Sequence, residues 1–301
     1  MPGPKGSTQS PQRVFSPFVS TVLTVIAPGL LGASVAQAAR RHGAADRIKI
    51  WARRPETRLA LNKSDWCDEA ADTLSSAVED ANIVVVCTPV DRIIESIKSF
   101  SDSLGPDAVV TDVGSVKGEI CRFASNALKN GAGFVGSHPM AGSEKSGMEH
   151  ASADLFKDRP CFVTPLEQTP SESVDQVVSF WTRIGAEVVT LPPDRHDEIV
   201  AHISHLPHLA ASALCSLMAG HDPSWRHYAG GGLRDTTRVA GGSPSLWLEI
   251  LFENRDEVLR ALASYQDELQ GFHAALSNRD ILQVKALLER GKDYRDQFRP
   301  R

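Results

Sequence analysis

Three things are scarce in this sequence: paired cysteines, an excess of positive charge and uninterrupted apolar stretches. The 301 residues include five widely spaced cysteines without a CxxC pair: Cys67, Cys87, Cys121, Cys161 and Cys215. An odd number of scattered thiols is typical of a reducing compartment and predicts a cytoplasmic protein. Lys and Arg number 32 against 37 Asp and Glu, and this dispersed charge predicts no nucleic-acid surface.

The apolar stretch 18–36 is interrupted by Pro28, Gly29 and Gly32. A membrane-spanning helix needs about 20 consecutive apolar residues, so the sequence predicts no membrane span. The stretch is better explained as a strand, a glycine turn and a helix than as a signal peptide. Residues 1–17, rich in Pro, Ser and Gly, are predicted to form a disordered tail.

Residues 18–192 alternate short β-branched runs with helical stretches. This alternation predicts an α/β domain with a parallel sheet and helices on both faces. Strands are expected at 22–26, 48–51, 83–87 and 109–112, with 134–136 and 161–164 joining them and 187–191 closing this half. Helices are expected at 30–42, 90–100, 116–128 and 173–184.

Residues 193–301 follow two prolines and carry helical patterns without a strand signal, which predicts an all-helical domain. Helices are expected at 194–217, apart from Pro207, and at 244–275 and 279–298. The apolar stripe is larger than a small bundle needs, and it includes Leu246, Leu248, Ile250, Leu251, Val258, Leu259 and Leu262. Part of it is expected to form a homodimer interface; packing within one chain is the alternative.

A phosphate-binding pattern lies between the first predicted strand and helix. Ala27, Gly29 and Gly32 occupy the three glycine positions of a G-x-G-x-x-G motif. The second position lets the backbone approach a pyrophosphate, and the third lets helix and strand pack closely. Free N–H groups at the helix start, around Leu30 and Leu31, attract phosphate. The pattern predicts a Rossmann-type dinucleotide site, in which Ala27 is tolerable with a negative φ.

The end of the second predicted strand favours NADP over NAD. Ala52 stands where an NAD site usually places an acidic residue, and Arg53 and Arg54 follow it. Losing the carboxylate and gaining two guanidinium groups suits a 2′-phosphate. The alternative is that both arginines are merely solvated.

Polar turns follow the later strands. Thr88-Pro89 and the turn containing Gly114 are expected to face the cofactor, because ligands bind at the carboxyl ends of parallel strands. Ser115 lies in the second of these turns and has a structural alternative as a helix cap. The segment 138–147, His-Pro-Met-Ala-Gly-Ser-Glu-Lys-Ser-Gly, concentrates groups capable of catalysis in a predicted loop.

Four ordered motifs resemble the prephenate dehydrogenase family, which includes arogenate dehydrogenases. They are Asp-Val-Gly-Ser-Val-Lys at 112–117, the 138–147 segment, His-Leu-Pro-His at 205–208, and Gly-Gly-Leu-Arg-Asp-Thr-Thr-Arg at 231–238. The resemblance runs from about residue 22 to 262 and departs from the family at Ala27-Pro28. It implies oxidative decarboxylation of prephenate with hydride transfer to NAD(P), in tyrosine biosynthesis.

The resemblance also implies roles for single residues. His138 would accept the proton of the ring hydroxyl as hydride leaves the same carbon. Ser115 would orient that hydroxyl, and Arg238 would hold a substrate carboxylate. The remaining substrate-binding residues would be His205, His208, Ser143, Glu144 and Asp235.

Several alternatives stay open. Arogenate differs from prephenate by an amino group in place of a keto group, and a nucleotide-binding regulator without turnover would share the fold. A β-hydroxyacid-type reductase would need a catalytic lysine motif that is not found in the helical half. The histidines at 196, 202, 205 and 208 lack an HExxH pattern or a cysteine partner, so no metal site is predicted. His196 and His202 are interpreted as structural.

Overall fold

The computed structural model describes residues 21–129, 131–141 and 147–298. The tail predicted at 1–17 and two predicted substrate-binding residues, Ser143 and Glu144, lie outside these ranges. Along the described chain, an α/β region whose last strand ends at Thr190 is followed by a helical region that begins at Pro193.

The first region is built on a six-stranded sheet in which every strand pair is parallel. The spatial order β3-β2-β1-β4-β5-β6 reverses direction between β1 and β4, and it confirms the predicted Rossmann-type sheet. Strands covered on both faces are apolar throughout, and all five residues of β1 are buried. The strands are β1 Val22–Ile26, β2 Arg47–Trp51, β3 Glu69–Ala71, β4 Ile83–Val86, β5 Val109–Asp112 and β6 Gly133–Phe134.

Helices cover both faces of this sheet, and each face has its own apolar core. Val25 belongs to one buried cluster with residues of α1 (Leu30–His42) and α6 (Ser171–Arg183). Its neighbour Ile26 belongs to the other, with residues of α4 (Ile93–Phe100) and α5 (Gly118–Ala127), because successive strand residues point to opposite faces. Two short helices, α2 Pro55–Leu61 and α3 Leu74–Val78, complete the region.

A second, three-stranded sheet stands apart from the first. It contains β7 Gly136–Pro139, β8 Pro160–Thr164 and β9 Glu187–Thr190, with β7 antiparallel to β8 and β8 parallel to β9. The prediction that 161–164 joins the main sheet is therefore wrong, and of 134–136 only Phe134 pairs there. Short apolar runs indicate a strand but do not specify its partner. Strand β3 was not predicted, because Glu-Ala-Ala lacks β-branched residues.

In the second region, all regular secondary structure described between residues 193 and 298 is helical, and its α-helices are α7 Pro193–Val200, α8 Leu206–Ala219, α9 Gly231–Thr237, α10 Pro244–Glu253, α11 Arg255–Ser277 and α12 Ile281–Asp296. A π-helical turn, Ala201–His205, joins α7 to α8. Proline usually ends a helix because it lacks an N–H and its ring crowds the preceding turn. Pro207 does not end the helix here, because the wider π turn directly before it accommodates the ring. Such turns are frequent at functional sites.

Helices α8 to α12 leave many apolar side chains exposed. Of the predicted stripe, Ile250 and Val258 are buried, but Leu248 is 59% exposed. Further large exposed apolar residues on these helices are Leu217, Leu246, Phe252, Leu259, Leu269, Leu276, Ile281, Leu282 and Leu288. Within the described ranges, no helix is both long and apolar enough to cross a membrane.

Candidate active site

The turn between β1 and α1 brings backbone and helix into close contact. Ala27 has a φ of 68°, in the left-handed region that disfavours residues with a Cβ, so the condition under which alanine would be tolerable here is not met. A Cβ at Gly32 would lie 2.5 Å from the Ala27 carbonyl oxygen, whereas one at Gly29 would meet nothing within 4 Å. Gly32 is therefore needed for packing, while Gly29 leaves open space above the turn.

A cleft of about 810 Å³ lies over the carboxyl ends of β1, β2 and β4. Six predicted cofactor residues line it: Ala27, Gly29, Arg53, Arg54, Thr88 and Pro89. The buried hydroxyl of Thr88 has no hydrogen-bond partner among the described residues, and both arginines are exposed. Open space above a glycine, this buried hydroxyl and two exposed guanidinium groups fit a dinucleotide with its phosphates.

The other predicted cofactor residues do not line the cleft themselves. Leu30 is half-buried at the first position of α1, and Leu31 packs against the core. Gly114 is buried, and a Cβ there would lie 2.8 Å from a carboxylate oxygen of Asp112. Contact of these residues with a cofactor stays a prediction.

The carboxylate of Asp112 ties the end of β5 to β7. Its Oδ1 accepts a hydrogen bond from the Ser137 amide at 3.0 Å, and its Oδ2 accepts one from the Gly114 amide at 2.8 Å. Lys117 forms an ion pair with the same carboxylate, and both side chains are fully buried. Removing one partner of a buried pair costs about 3–5 kcal/mol, so this contact fixes β7 beside the cofactor end of the sheet.

His138 is the third residue of β7 and is half-buried. Its Nδ1 lies 2.9 Å from Nε2 of His196, and the two rings meet edge-on. Burial, followed by the neighbouring His196 and the charge of Lys117, lowers the pKa of His138 well below its ordinary value. The imidazole is therefore neutral at neutral pH and able to accept a proton.

Asp197 of α7 connects the two regions. Its Oδ1 lies 2.8 Å from Nδ1 of His196, and its two oxygens accept hydrogen bonds from the amides of Lys117 at 2.8 Å and Gly118 at 2.7 Å. These amides start α5, so the cap of this helix comes from Asp197. Ser115, the cap considered from the sequence, forms no hydrogen bond with another described residue and is half-buried.

His205 and His208 lie one turn apart and are both buried. Nδ1 of His205 lies 3.2 Å from Nδ2 of Asn254. Burial lowers the pKa of His205 to about 4, against the opposing charge of Asp197. The His208 ring stacks on Trp247 with centroids 3.6 Å apart, and its buried Nδ1 has no partner within the described ranges.

Arg238 begins a short 3₁₀ segment, Arg238–Gly241, that packs against α8. Arg238 and Asp235 are both exposed, and neither forms an ion pair with a residue in 21–129, 131–141 or 147–298. Arg238 is thus near the helix that carries His208 and has an uncommitted guanidinium group. The position of Ser143 and Glu144 relative to these groups lies outside the described residues.

Two family descriptions match consecutive parts of the chain. Residues 35–190 match "Prephenate dehydrogenase, nucleotide-binding domain", and residues 192–290 match "Prephenate dehydrogenase, dimerization domain". The chain belongs to the prephenate dehydrogenase family. It is 32% identical over 272 residues to the prephenate dehydrogenase of Bacillus subtilis, covering 89% of this chain and 73% of that protein.

Solved structures of the prephenate dehydrogenase family share the whole architecture. The structure of prephenate dehydrogenase from A. aeolicus in complex with hydroxyphenyl propionate and NAD+ superposes with a TM-score of 0.87 at 28% identity, covering 94% of this chain and 99% of that one. Synechocystis arogenate dehydrogenase gives a TM-score of 0.83 at 32% identity, covering 92% and 99%. A nicotinamide-binding oxidoreductase fold is therefore shared along nearly the full length.

Sequence reasoning missed part of this family member's site. His196, interpreted from the sequence as structural, forms a hydrogen bond with His138 that the sequence did not predict. The signal was the His-Asp pair at 196–197, inside a histidine-rich segment of which only His205 and His208 were assigned to substrate binding. No group of three or more His, Cys, Asp or Glu side chains among the described residues is placed to hold a metal ion. Asn254, a polar residue at the end of an apolar helix, gave no signal.

Proposed function

We propose that this chain oxidatively decarboxylates prephenate to 4-hydroxyphenylpyruvate with reduction of NAD(P), in tyrosine biosynthesis. The observation that carries the proposal is the position of His138. It lies on β7, tied through Ser137 to the carboxyl end of β5, and contacts His196 of the helical region. A neutral imidazole thus lies beside the helical region and close to the carboxyl end of β5, which supports a role for His138 between cofactor and substrate.

The bound nicotinamide supplies the hydride acceptor, and the protein supplies a proton acceptor and an oriented substrate. His138 takes the proton from the ring hydroxyl as the C–H bond of the same carbon is lost, which prevents charge from building on the ketone oxygen. Its depressed pKa keeps it unprotonated at neutral pH. Loss of carbon dioxide then makes the ring aromatic, so little further chemistry is required of the protein.

Substrate orientation is assigned to groups of both regions. The planar fork of Arg238 is suited to a carboxylate, and its exposed guanidinium has no other anionic partner among the described residues. Ser115 would orient the reacting hydroxyl, and His205 and His208 would line the pocket. Ser143, Glu144 and Asp235 complete the proposed substrate-binding set.

NADP is the proposed cofactor, in preference to NAD. Arg53 and Arg54 line the cleft at the end of β2, and Ala52 between strand and arginines offers no carboxylate to a ribose hydroxyl. The pyrophosphate would lie at the Gly29 turn and the start of α1. Thr88 and Pro89, with Gly114 behind them, would meet the nicotinamide side.

A homodimer is the proposed assembly, and the cytoplasm the proposed location. The exposed apolar residues of α8 to α12, within a region that matches a dimerization domain, support a second copy as their cover. Each of the five cysteines, all within the described ranges, is a free thiol, which agrees with a reducing compartment.

Purified protein, mixed with prephenate and NADP and followed at the absorbance of reduced nicotinamide, tests the proposal. Prephenate with NADP is expected to give the highest kcat/KM of the four combinations of prephenate or arogenate with NADP or NAD. A higher kcat/KM with arogenate would identify arogenate as the substrate and leave the proposed oxidative decarboxylation unchanged, in line with the similarity to an arogenate dehydrogenase. Absence of turnover in all four combinations would contradict the proposed function and favour a binding role.

A further inference from the structure

A chain of hydrogen bonds stands behind His138. Nδ1 of His138 contacts Nε2 of His196 at 2.9 Å, and Nδ1 of His196 contacts Oδ1 of Asp197 at 2.8 Å. In a neutral imidazole one nitrogen donates and the other accepts. The state of the last member therefore decides which nitrogen of each ring carries the proton.

Asp197 is the member whose role is unambiguous. Its oxygens accept hydrogen bonds from two backbone amides, at Lys117 and Gly118, and a backbone amide can only donate. Burial by itself would raise the pKa of Asp197, but the hydrogen bonds from His196 and from these amides bring it below its ordinary value. Asp197 is thus a carboxylate that only accepts, and Nδ1 of His196 carries the proton that it donates.

The next link follows from the neutrality of His196. Burial lowers the pKa of His196, although Asp197 acts in the opposite direction, so the ring holds one proton and Nε2 keeps its lone pair. Nδ1 of His138 must then donate to that lone pair. We propose that Asp197 and His196 are positioning residues that hold His138 in its Nδ1–H tautomer, which leaves Nε2 as the acceptor of the substrate proton. The catalytic part of this inference rests on the proposed function.

Asp197 fixes a second histidine in the opposite tautomer. Nδ2 of Asn254 faces the backbone carbonyl of Asp197 at 2.9 Å and Nδ1 of His205 at 3.2 Å. A carbonyl only accepts, so the amide nitrogen is the donor and Nδ1 of His205 accepts, which leaves the proton on Nε2. Asp197 thus acts on His138 through its carboxylate and His196, and on His205 through its backbone carbonyl and Asn254, which leaves Nε2 an acceptor in the first ring and a donor in the second.

Nitrogen NMR of the full-length protein, labelled with [15N]histidine and free of substrate and cofactor, tests the tautomers directly. His138→Gln and His205→Gln identify the two ring signals. At neutral pH His138 is expected to be protonated on Nδ1 and His205 on Nε2. Protonation of His138 on Nε2 would overturn the proposal. The NMR measurement does not require turnover of prephenate, so its outcome is independent of the activity assay.

Two variants at position 196 test whether the tautomer matters for turnover. His196→Phe keeps an aromatic ring against Phe162, whose centroid lies 5.2 Å away, but removes the acceptor. It is expected to abolish the Nδ1–H state of His138 and to lower kcat about 10- to 100-fold, with KM changed less than about 3-fold. His196→Gln offers an amide oxygen as acceptor and is expected to retain the tautomer and recover part of kcat. Equal losses in both variants with an unchanged His138 tautomer would reduce the role of His196 to packing and refute the proposal.

Discussion

The two regions of this chain bury their apolar residues in different ways. In the α/β region, two clusters cover both faces of the sheet, and residues such as Val25 and Ile26 are completely buried. In the helical region, the described cluster contains three buried residues, Ala201, Val258 and Ala261, while leucines along α10 to α12 are exposed. The first region buries its own core, whereas the second leaves exposed an apolar surface of the kind that marks protein–protein contacts.

The proposed catalytic and substrate-binding groups are divided between the same two regions. If the α/β region supplies the base and the helical region supplies binding, His138→Asn should lower kcat by about 10²- to 10⁴-fold with KM nearly unchanged. His205→Asn, its counterpart, should raise KM more than it lowers kcat. Steady-state kinetics with prephenate measures both, and His202→Asn, an exposed histidine of the π turn, is the control. A larger kcat loss at His205 than at His138 would reverse the assignment.

Two exposed leucines allow a matched test of the assembly. Leu248 of α10 is 59% exposed and Leu59 of α2 is 65% exposed. Leu248→Glu should raise the dimer dissociation constant by about 100-fold, because a buried charge in an interface costs several kcal/mol. Leu59→Glu should leave it unchanged. Light scattering across a dilution series measures the dimer dissociation constant of both variants. Equal dissociation constants would contradict the proposal that the helical region, and not the α/β region, forms the dimer interface.

Cofactor choice should be a property of the α/β region alone. Replacing Arg53 and Arg54 together by alanine should lower the kcat/KM ratio of NADP over NAD by about 10- to 100-fold, since the net loss of a single charge-assisted hydrogen bond costs about 1.5–3 kcal/mol and both arginines are exposed to solvent. The oligomeric state should not change. Arg183→Ala, at an exposed position at the end of α6, is the control. An unaltered ratio in the double variant would identify both arginines as solvated.

The smallest expected effect lies in the glycine turn. Ala27→Gly should increase the free energy of unfolding by about 1 kcal/mol, because glycine adopts the left-handed region without the penalty of a Cβ. Ala33→Gly, six residues along in α1, should decrease it by about as much or more. Thermal unfolding would show the opposite signs as Tm shifts of roughly 2–4 °C. A lower Tm for Ala27→Gly would mean that the turn carries no strain.

Sequence periodicity predicted the main strands and the longer helices of the α/β region, because buried parallel strands are continuous apolar runs, but it missed α2, α3 and β3. α1 was predicted with its observed bounds, Leu30–His42. What periodicity could not provide was pairing: β8 has the composition of a main-sheet strand but belongs to the second sheet. The φ of Ala27 was also out of reach, since alanine gives no sign of a left-handed position.

For the candidate site, motifs located the cleft lining and His138 but not what supports them. Lys117 was inside a quoted motif, yet nothing in its spacing indicated a buried ion pair with Asp112. His196, Asp197 and Asn254 are joined to His138 and His205 by contacts across 49 to 58 positions. The contact between His138 and His196 depends on how the two regions dock, and the contact between His205 and Asn254 depends on how the helices of the second region pack. No local sequence pattern predicts either.

The contact made by Asp197 also limits how the molecule can move. A rotation of α7 away from α5 would break the hydrogen bonds from the amides of Lys117 and Gly118 to Asp197, and it would move His196 away from His138 at the same time. We therefore expect ligand entry and release to pivot about this contact rather than to open it. Hydrogen exchange at the amides of Lys117 and Gly118 should stay slow during turnover; rapid exchange there would place the hinge elsewhere. Asp197 would then keep its hydrogen bonds to both regions while the regions move relative to each other.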